Sequence, residues 1–222
     1  MNIKIAIDGP SGSGKSTLAK NIAKALGLVY VDTGALYRTI GLYAKRCGVA
    51  LEEASKVVGF LPDADLALKY TEEGQRVLLN GEDVSDLIRT PEMSMYASAV
   101  SAVPAVRAFL LEIQRKMTTE GNVVMDGRDI GTVVLPDAEL KLFLTAKPEI
   151  RAQRRVLQLA EKGIEANYDD VLADVIQRDY NDSHRDFRPL KLAEDGILID
   201  NTELPLDETV EKIISLAKER MA

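Results

Sequence analysis

At 222 residues and 46% apolar content the chain can bury a sizeable core, and its length suits one domain carrying small inserted subdomains. A single cysteine, Cys47, excludes an internal disulfide and a four-cysteine zinc site, and suits a reducing compartment. The formal charge of −7 speaks against a nucleic-acid-binding face, no stretch approaches the ~20 apolar residues of a membrane span, and MNIKIAIDGP lacks the apolar core of a secretory leader. A soluble, cytoplasmic protein is therefore expected, with no nucleic acid and no membrane among its partners.

In chain order, IKIAID (residues 3–8) reads as a buried strand that runs into a glycine-rich turn and a helix ending at Gly27. A second short apolar run, residues 28–31, is closed by Asp32-Thr33-Gly34, and a helix is predicted over residues 35–46 with Leu36, Ile40 and Tyr43 on one face. Residues 122–125, 140–144 and 197–199 are further buried-strand candidates separated by helical material, which predicts an α/β fold, a mainly parallel sheet flanked by helices. Between residues 63 and 88 the rhythm changes: ADLALKY and QRVLLNGEDVS alternate as antiparallel strands joined around Glu73-Gly74. Helices follow over residues 91–101 and 104–117, each with a proline in its first turn. The expected organisation is one domain, 1–222, with an insertion at 62–90 and a second appendage at 148–168, where an Arg-rich helix opened by Pro148 leads into EKGIEANYDD.

The segment Gly9-Pro10-Ser11-Gly12-Ser13-Gly14-Lys15-Ser16, continued by Thr17, fits G-x-x-x-x-G-K-[ST] in its required strand-to-helix context. Glycines let backbone amides turn around phosphate oxygens, and the helix N-terminus adds its positive end. Lys15 would reach the β- and γ-phosphates of a nucleotide and the Ser16 hydroxyl would hold Mg²⁺. The bland alternative is an ordinary glycine-rich turn. Asp126, at the end of the strand candidate VVMD, is either a turn former or an acid that orients the metal.

A phosphate-binding loop alone also suits GTPases and ATPase motors, but the N-K-x-D segment that reads guanine is missing. Arginines are abundant instead. Arg151, Arg154 and Arg155 share one face of a predicted helix, and Arg178, Asp182 and Arg185 share one face of another over residues 168–184. In a phosphoryl-transfer enzyme such groups neutralise spreading charge and clamp an acceptor phosphate. On a solvated face they would amount to little more than an Arg178–Asp182 salt bridge.

GPSGSGKST, VDTGALYR (31–38), DGRDIGTVVLPDA (126–138), the Arg-rich helix and RDYNDSHRDFRPL (178–190) occur in order, and together they resemble the bacterial cytidylate kinase family of the nucleoside monophosphate kinases. The resemblance covers the chain from about residue 3 to its end. It implies ATP-dependent phosphorylation of CMP and dCMP, an NMP-binding insertion at 62–90 and a short lid at 148–168; a monomer is expected. By the same resemblance Thr33, Tyr37, Arg38 and Arg128 surround the acceptor phosphate. Ser98, Arg107 and Asp129 read cytosine, Arg178 and Asp182 hold the ribose side, and Arg185 contacts the acceptor phosphate. Arg151 and Arg154 belong to the lid and approach the donor phosphates. Position 16 is Ser where some members have Gly, and position 33 is Thr where some have Ser.

The acceptor phosphate is already an anionic nucleophile, so His184, the single histidine, is expected on the surface and not as a base. Tyr37 reads equally as core, and Asp129 equally as a turn acid after Gly127. The rival functions are a UMP, AMP or shikimate-type kinase, or a non-catalytic nucleotide switch.

Overall fold

The computed structural model describes residues 3–71, 74–118 and 121–221. Its elements in chain order are β1 (Lys4–Asp8), α1 (Lys15–Leu26), β2 (Val29–Asp32), α2 (Thr33–Arg46), β3 (Leu66–Thr71), β4 (Gly74–Leu79), β5 (Glu82–Asp83) and α3 (Pro91–Ser101). There follow α4 (Pro104–Lys116), β6 (Val123–Gly127), β7 (Leu140–Thr145), α5 (Pro148–Ala160), α6 (Tyr168–His184), β8 (Ile197–Asp200) and α7 (Leu206–Met221). Short 3-10 helical segments lie at Leu51–Asp63 and Leu87–Arg89, and a π-helical turn at Ile130–Val134. The chain divides into two compact units, Met1–Tyr30 with Glu120–Ala222, and Val31–Thr119.

The first unit is built on a five-stranded sheet in the order β2-β6-β1-β7-β8. β1 pairs in parallel with β6 on one side and with β7 on the other, and β7 pairs in parallel with β8. The apolar runs of β1, β6 and β7 are buried, as strands covered on both faces require. Ile5, Ile7, Leu142 and Leu144 join Leu18, Ala19 and Ile22 of α1 and Ile213 and Ala217 of α7 in one core. The register sets Asp8 level with Gly127 and with Phe143, so the loops that leave β1, β6 and β7 emerge along a single carboxyl edge. That edge is where parallel α/β sheets hold their ligands.

The second unit has its own core, in which Leu36 and Ile40 of α2 join Val77 and Leu79 of β4, Tyr96 and Val100 of α3, and Val106 and Leu110 of α4. Asp32 caps α2, its carboxylate accepting the Ala35 N–H. The helix therefore starts at Thr33, two residues before the predicted start, because Asp32-Thr33-Gly34 is its first turn and not a loop. β3, β4 and β5 form the expected antiparallel sheet inside residues 62–90, with Leu66 opposite Leu79 and Thr71 opposite Gly74. Of the expected Glu73-Gly74 joint, Glu73 lies outside the described residues. The segment Leu51–Asp63 and helix α7 were not anticipated from the sequence.

α2 and α3 pack closely at Gly41, where a Cβ would lie 2.7 Å from the Tyr96 Cβ and 3.2 Å from the Ala97 backbone nitrogen. Replacing Gly41 with Ala would raise helix propensity by ~1 kcal/mol but forces an overpacking cost of about 1–3 kcal/mol against atoms of a neighbouring helix. Gly41→Ala is expected to lower the urea midpoint of unfolding; a raised midpoint would show that α3 shifts without cost.

Candidate active site

The phosphate-binding loop leaves β1 through Gly9, whose φ is +147° and where a Cβ would stand 2.0 Å from the Leu144 carbonyl oxygen. No side chain fits there, so β7 itself dictates the first glycine. The loop turns into α1, and Lys15, buried at its start, donates from Nζ to the Pro10 carbonyl at 2.6 Å and to Ser13 Oγ at 3.3 Å. Burial first, then the nearby Arg128, pull the Lys15 pKa from its ordinary value of 10.5 down to about 7, against the opposing pull of Asp126, Asp182 and Asp8.

Arg151 and Arg154 lie on α5 and both are tied to this loop. Arg151 is buried: Nε donates to the Ala146 carbonyl at 2.8 Å, Nη1 to the Ser11 carbonyl at 3.1 Å, and the guanidinium is ion-paired with Asp179. Arg154 donates to the carbonyl and the side-chain oxygen of Asn201, at 3.0 and 3.2 Å, and Asn201 Nδ2 donates to the Ser13 carbonyl at 2.9 Å. In a trans peptide the N–H points away from the preceding C=O, and no cis bond is present among the described residues. Fastening the Ser11 and Ser13 carbonyls on one side therefore aims the Gly12 and Gly14 amides to the other.

On the metal side, Ser16 Oγ donates to Asp126 Oδ2 at 2.9 Å and the Tyr30 hydroxyl donates to Asp126 Oδ1 at 2.8 Å. A hydroxyl and a carboxylate held side by side are hard oxygen donors of the kind Mg²⁺ takes. Among the described residues no cluster of three or more His, Cys, Asp or Glu suits a metal ion.

Arg128, just beyond β6, donates from Nε to Asp182 Oδ2 at 2.7 Å, and Arg185 Nη1 stands 3.7 Å from Asp182 Oδ1. One expectation is corrected here, and one bland alternative is set aside. α6 ends at His184 and Arg185 is extended, so Arg185 does not share a helical face with Arg178 and Asp182. Asp182 is also bonded to Arg128, 54 residues away, and not paired along its own helix with Arg178. Burial acts to raise the Asp182 pKa, but Arg128, Arg185 and Arg178 together hold it below the ordinary carboxylate value. Asp182 is thus one carboxylate shared among three guanidiniums. Asp129 is buried at the start of the π-helical turn, whose first amides, those of Ile130 and Gly131, donate to the Asp8 carboxylate at 2.8 Å each.

In the second unit, Thr33 opens α2, and Arg38 Nη2 donates to Asp32 Oδ2 at 2.9 Å while its buried Nε has no hydrogen-bond partner. The Tyr37 ring lies 5.6 Å from the Arg107 guanidinium, a cation–π contact, and Arg107, buried, donates to the Ser101 carbonyl at 3.2 Å. Ser98 is half-buried on α3, one turn before. Tyr37 and Arg107 are thus brought together, and Tyr37, partly buried, also packs against the apolar core of the second unit. His184 is exposed, and its ring stacks on that of Tyr180 with centroids 4.1 Å apart.

Asp8, Tyr30, Asp179 and Asn201 were not found from the sequence. Only Asp8 carried a signal, standing directly before the loop; the partners of the other three are 28 to 188 residues distant. Asn201 joins Arg154 to the Ser13 carbonyl in a buried setting, so Asn201→Ala leaves both groups short of a partner. The expected loss of stability is about 1–3 kcal/mol by urea titration, and an unchanged midpoint would show that water replaces the amide.

The family model described as cytidylate kinase matches residues 5–219 of the chain. A cytidylate kinase of Caldicellulosiruptor saccharolyticus is 50% identical over 214 residues, 96% of this chain and 95% of that protein. A cytidylate kinase of Caldanaerobacter subterraneus subsp. tengcongensis is 50% identical over 213 residues, 96% of this chain and 93% of its own length. Among solved structures, an uncharacterized protein from Eubacterium ventriosum superposes with a TM-score of 0.53 at 16% identity over 99% of each chain, a likeness of fold alone. With a match over nearly its whole length, a phosphate-binding loop and the Arg128–Asp182–Arg185 cluster, the chain belongs to the cytidylate kinase family.

Proposed function

We infer that the protein transfers the γ-phosphoryl group of ATP to CMP and dCMP, yielding CDP and dCDP. The observation that carries this is the pairing, within one unit, of a phosphate-binding loop with a part-buried arginine cluster gathered on the buried Asp182, in a chain of this family. The acceptor phosphate needs no base to become a nucleophile, so the residues' work is positioning and charge stabilisation. Lys15 and the loop amides hold the donor, while Arg128 and Arg185 meet the acceptor phosphate. Arg178 and Asp182 steady the ribose side, and Thr33, Tyr37 and Arg38 are the further phosphate partners that the resemblance assigns. Ser16 and Asp126 are the residues that would hold Mg²⁺, which when bound offsets negative charge on the transferring group. Segments 62–90 and 148–168 are proposed as the acceptor-binding insertion and the lid, and the protein as a cytoplasmic monomer.

For the base, cytosine offers an amino donor at N4 and an acceptor at N3, and uracil reverses both. On the roles that the resemblance assigns, a carboxylate from Asp129 and a guanidinium from Arg107, with the adaptable Ser98 hydroxyl, would pair with cytosine and mismatch uracil twice. Unpaired buried polar groups cost about 1–3 kcal/mol each, so CMP should exceed UMP in kcat/KM by ~10³-fold or more. ADP release measured with CMP, dCMP, UMP and AMP tests this. A wild type that prefers UMP or AMP contradicts the assignment. Asp129→Ala should lose CMP activity far more than UMP activity.

Lys15 supplies a pH signature. With its pKa lowered to about 7, it is largely neutral at about pH 8. Donor phosphates favour the ammonium form, so ATP binding should raise the pKa and take up close to one proton at about pH 8, fading below about pH 6 where Lys15 is already charged. Calorimetry in two buffers of different ionisation enthalpy counts that proton. Binding with no uptake, or equal uptake in Lys15→Ala, contradicts the depressed pKa.

A further inference from the structure

Beyond its charge near Lys15, Asp8 has no part in the chemistry described so far, yet the residue is only 4% exposed and each carboxylate oxygen accepts a hydrogen bond. Oδ1 accepts the Ile130 N–H and Oδ2 the Gly131 N–H, both at 2.8 Å. These amides open the π-helical turn, and the first amides of any helical turn lack partners within it. Asp129, the residue before them, makes no side-chain cap to the turn and has φ −142° and ψ 30°. The cap is supplied instead by Asp8, from the neighbouring strand. Two acceptor oxygens on one rigid carboxylate fix two successive peptide planes, those joining Asp129 to Ile130 and Ile130 to Gly131, and hence the backbone from which the Asp129 side chain projects. Asp8 is also covalently joined to Gly9 and level with Gly127, so one residue spaces the phosphate-binding loop from the Arg128-Asp129 segment. Burial pushes its carboxyl up to about 6 despite both amide bonds. A buried carboxylate is therefore a costly way to cap a turn that any neutral acceptor could cap singly.

We propose that Asp8 is a positioning residue for acceptor choice: by accepting from both the Ile130 and Gly131 amides it directs the Asp129 carboxylate at the cytosine amino group. This rests on the reading of Asp129 as the base reader. Asn at position 8 keeps the size of the side chain and one acceptor, but turns an NH₂ group towards the second amide, donor against donor, and the turn must tilt.

The experiment measures kcat/KM for CMP and for UMP at saturating ATP in the wild type, Asp8→Asn, Asp129→Ala and the double variant. The CMP/UMP ratio cancels any effect of Asp8 on Lys15 or the donor loop, which both acceptors share. The expected result is a ratio lowered at least 10-fold in Asp8→Asn and no further lowering when Asp8→Asn is added to Asp129→Ala. A wild-type ratio in Asp8→Asn, even with reduced kcat, makes Asp8 merely structural and overturns the proposal, as does a further fall in the double variant. An unchanged ratio in Asp129→Ala overturns the base-reader assignment itself, whatever Asp8→Asn shows. Should Asp8→Asn lack the wild-type circular dichroism, Asp8→Glu is read in its place. It keeps the charge and moves both acceptors by one methylene, and an unchanged ratio in it overturns the proposal equally.

Discussion

Parallel pairing of β1 with β6 on one side and β7 on the other is the constraint from which the first unit's site follows. With Asp8 level with Gly127 and Phe143, the phosphate-binding loop, Asp126 and Arg128 leave the sheet along one edge. The same proximity makes Gly9 obligatory, because the Leu144 carbonyl fills the place of a side chain. It also brings Asp8 within reach of the turn after β6, and Ser16 within reach of Asp126. Strands buried on both faces are rigid because their apolar side chains are close-packed, and a rigid edge is what a preorganised site requires.

Electrostatics then works on that frame. The phosphate-binding loop gathers cations around itself, and they repel one another. Lys15 yields most, since a buried ammonium next to Arg128 loses its proton readily. Arginines hold their charge and are steadied by anions and carbonyls instead: Arg128 by Asp182, Arg151 by Asp179 and the Ser11 carbonyl, Arg154 by Asn201. These contacts have a second consequence, because they occupy the Ser11 and Ser13 carbonyls and so turn the Gly12 and Gly14 amides to the other side of the loop. The two α5 arginines thus shape the phosphate-binding loop as well as charging it, in the way outer partners of a site orient the inner ones.

What the sequence alone determined was whatever depends on neighbours in the chain. The strand, glycine loop and helix of residues 3–26, the antiparallel strands within 62–90, and the helices opened by Pro91, Pro104 and Pro148 are local patterns of period and punctuation, and they were legible as such. The ordered motifs carried the family in the same way. Leu51–Asp63 was not legible, because a 3-10 segment with a proline inside has no helical period to display. Only the tertiary structure decided the partners: that Asp182 answers Arg128 and not its helical neighbour, that Tyr30 and Ser16 share Asp126, and that Asp8 caps a turn 122 residues away. Helical spacing states which side chains share a face, but burial and charge choose among the groups that the fold brings within about 3 Å of each other. That choice is made across strands whose order in the sheet differs from their order in the chain.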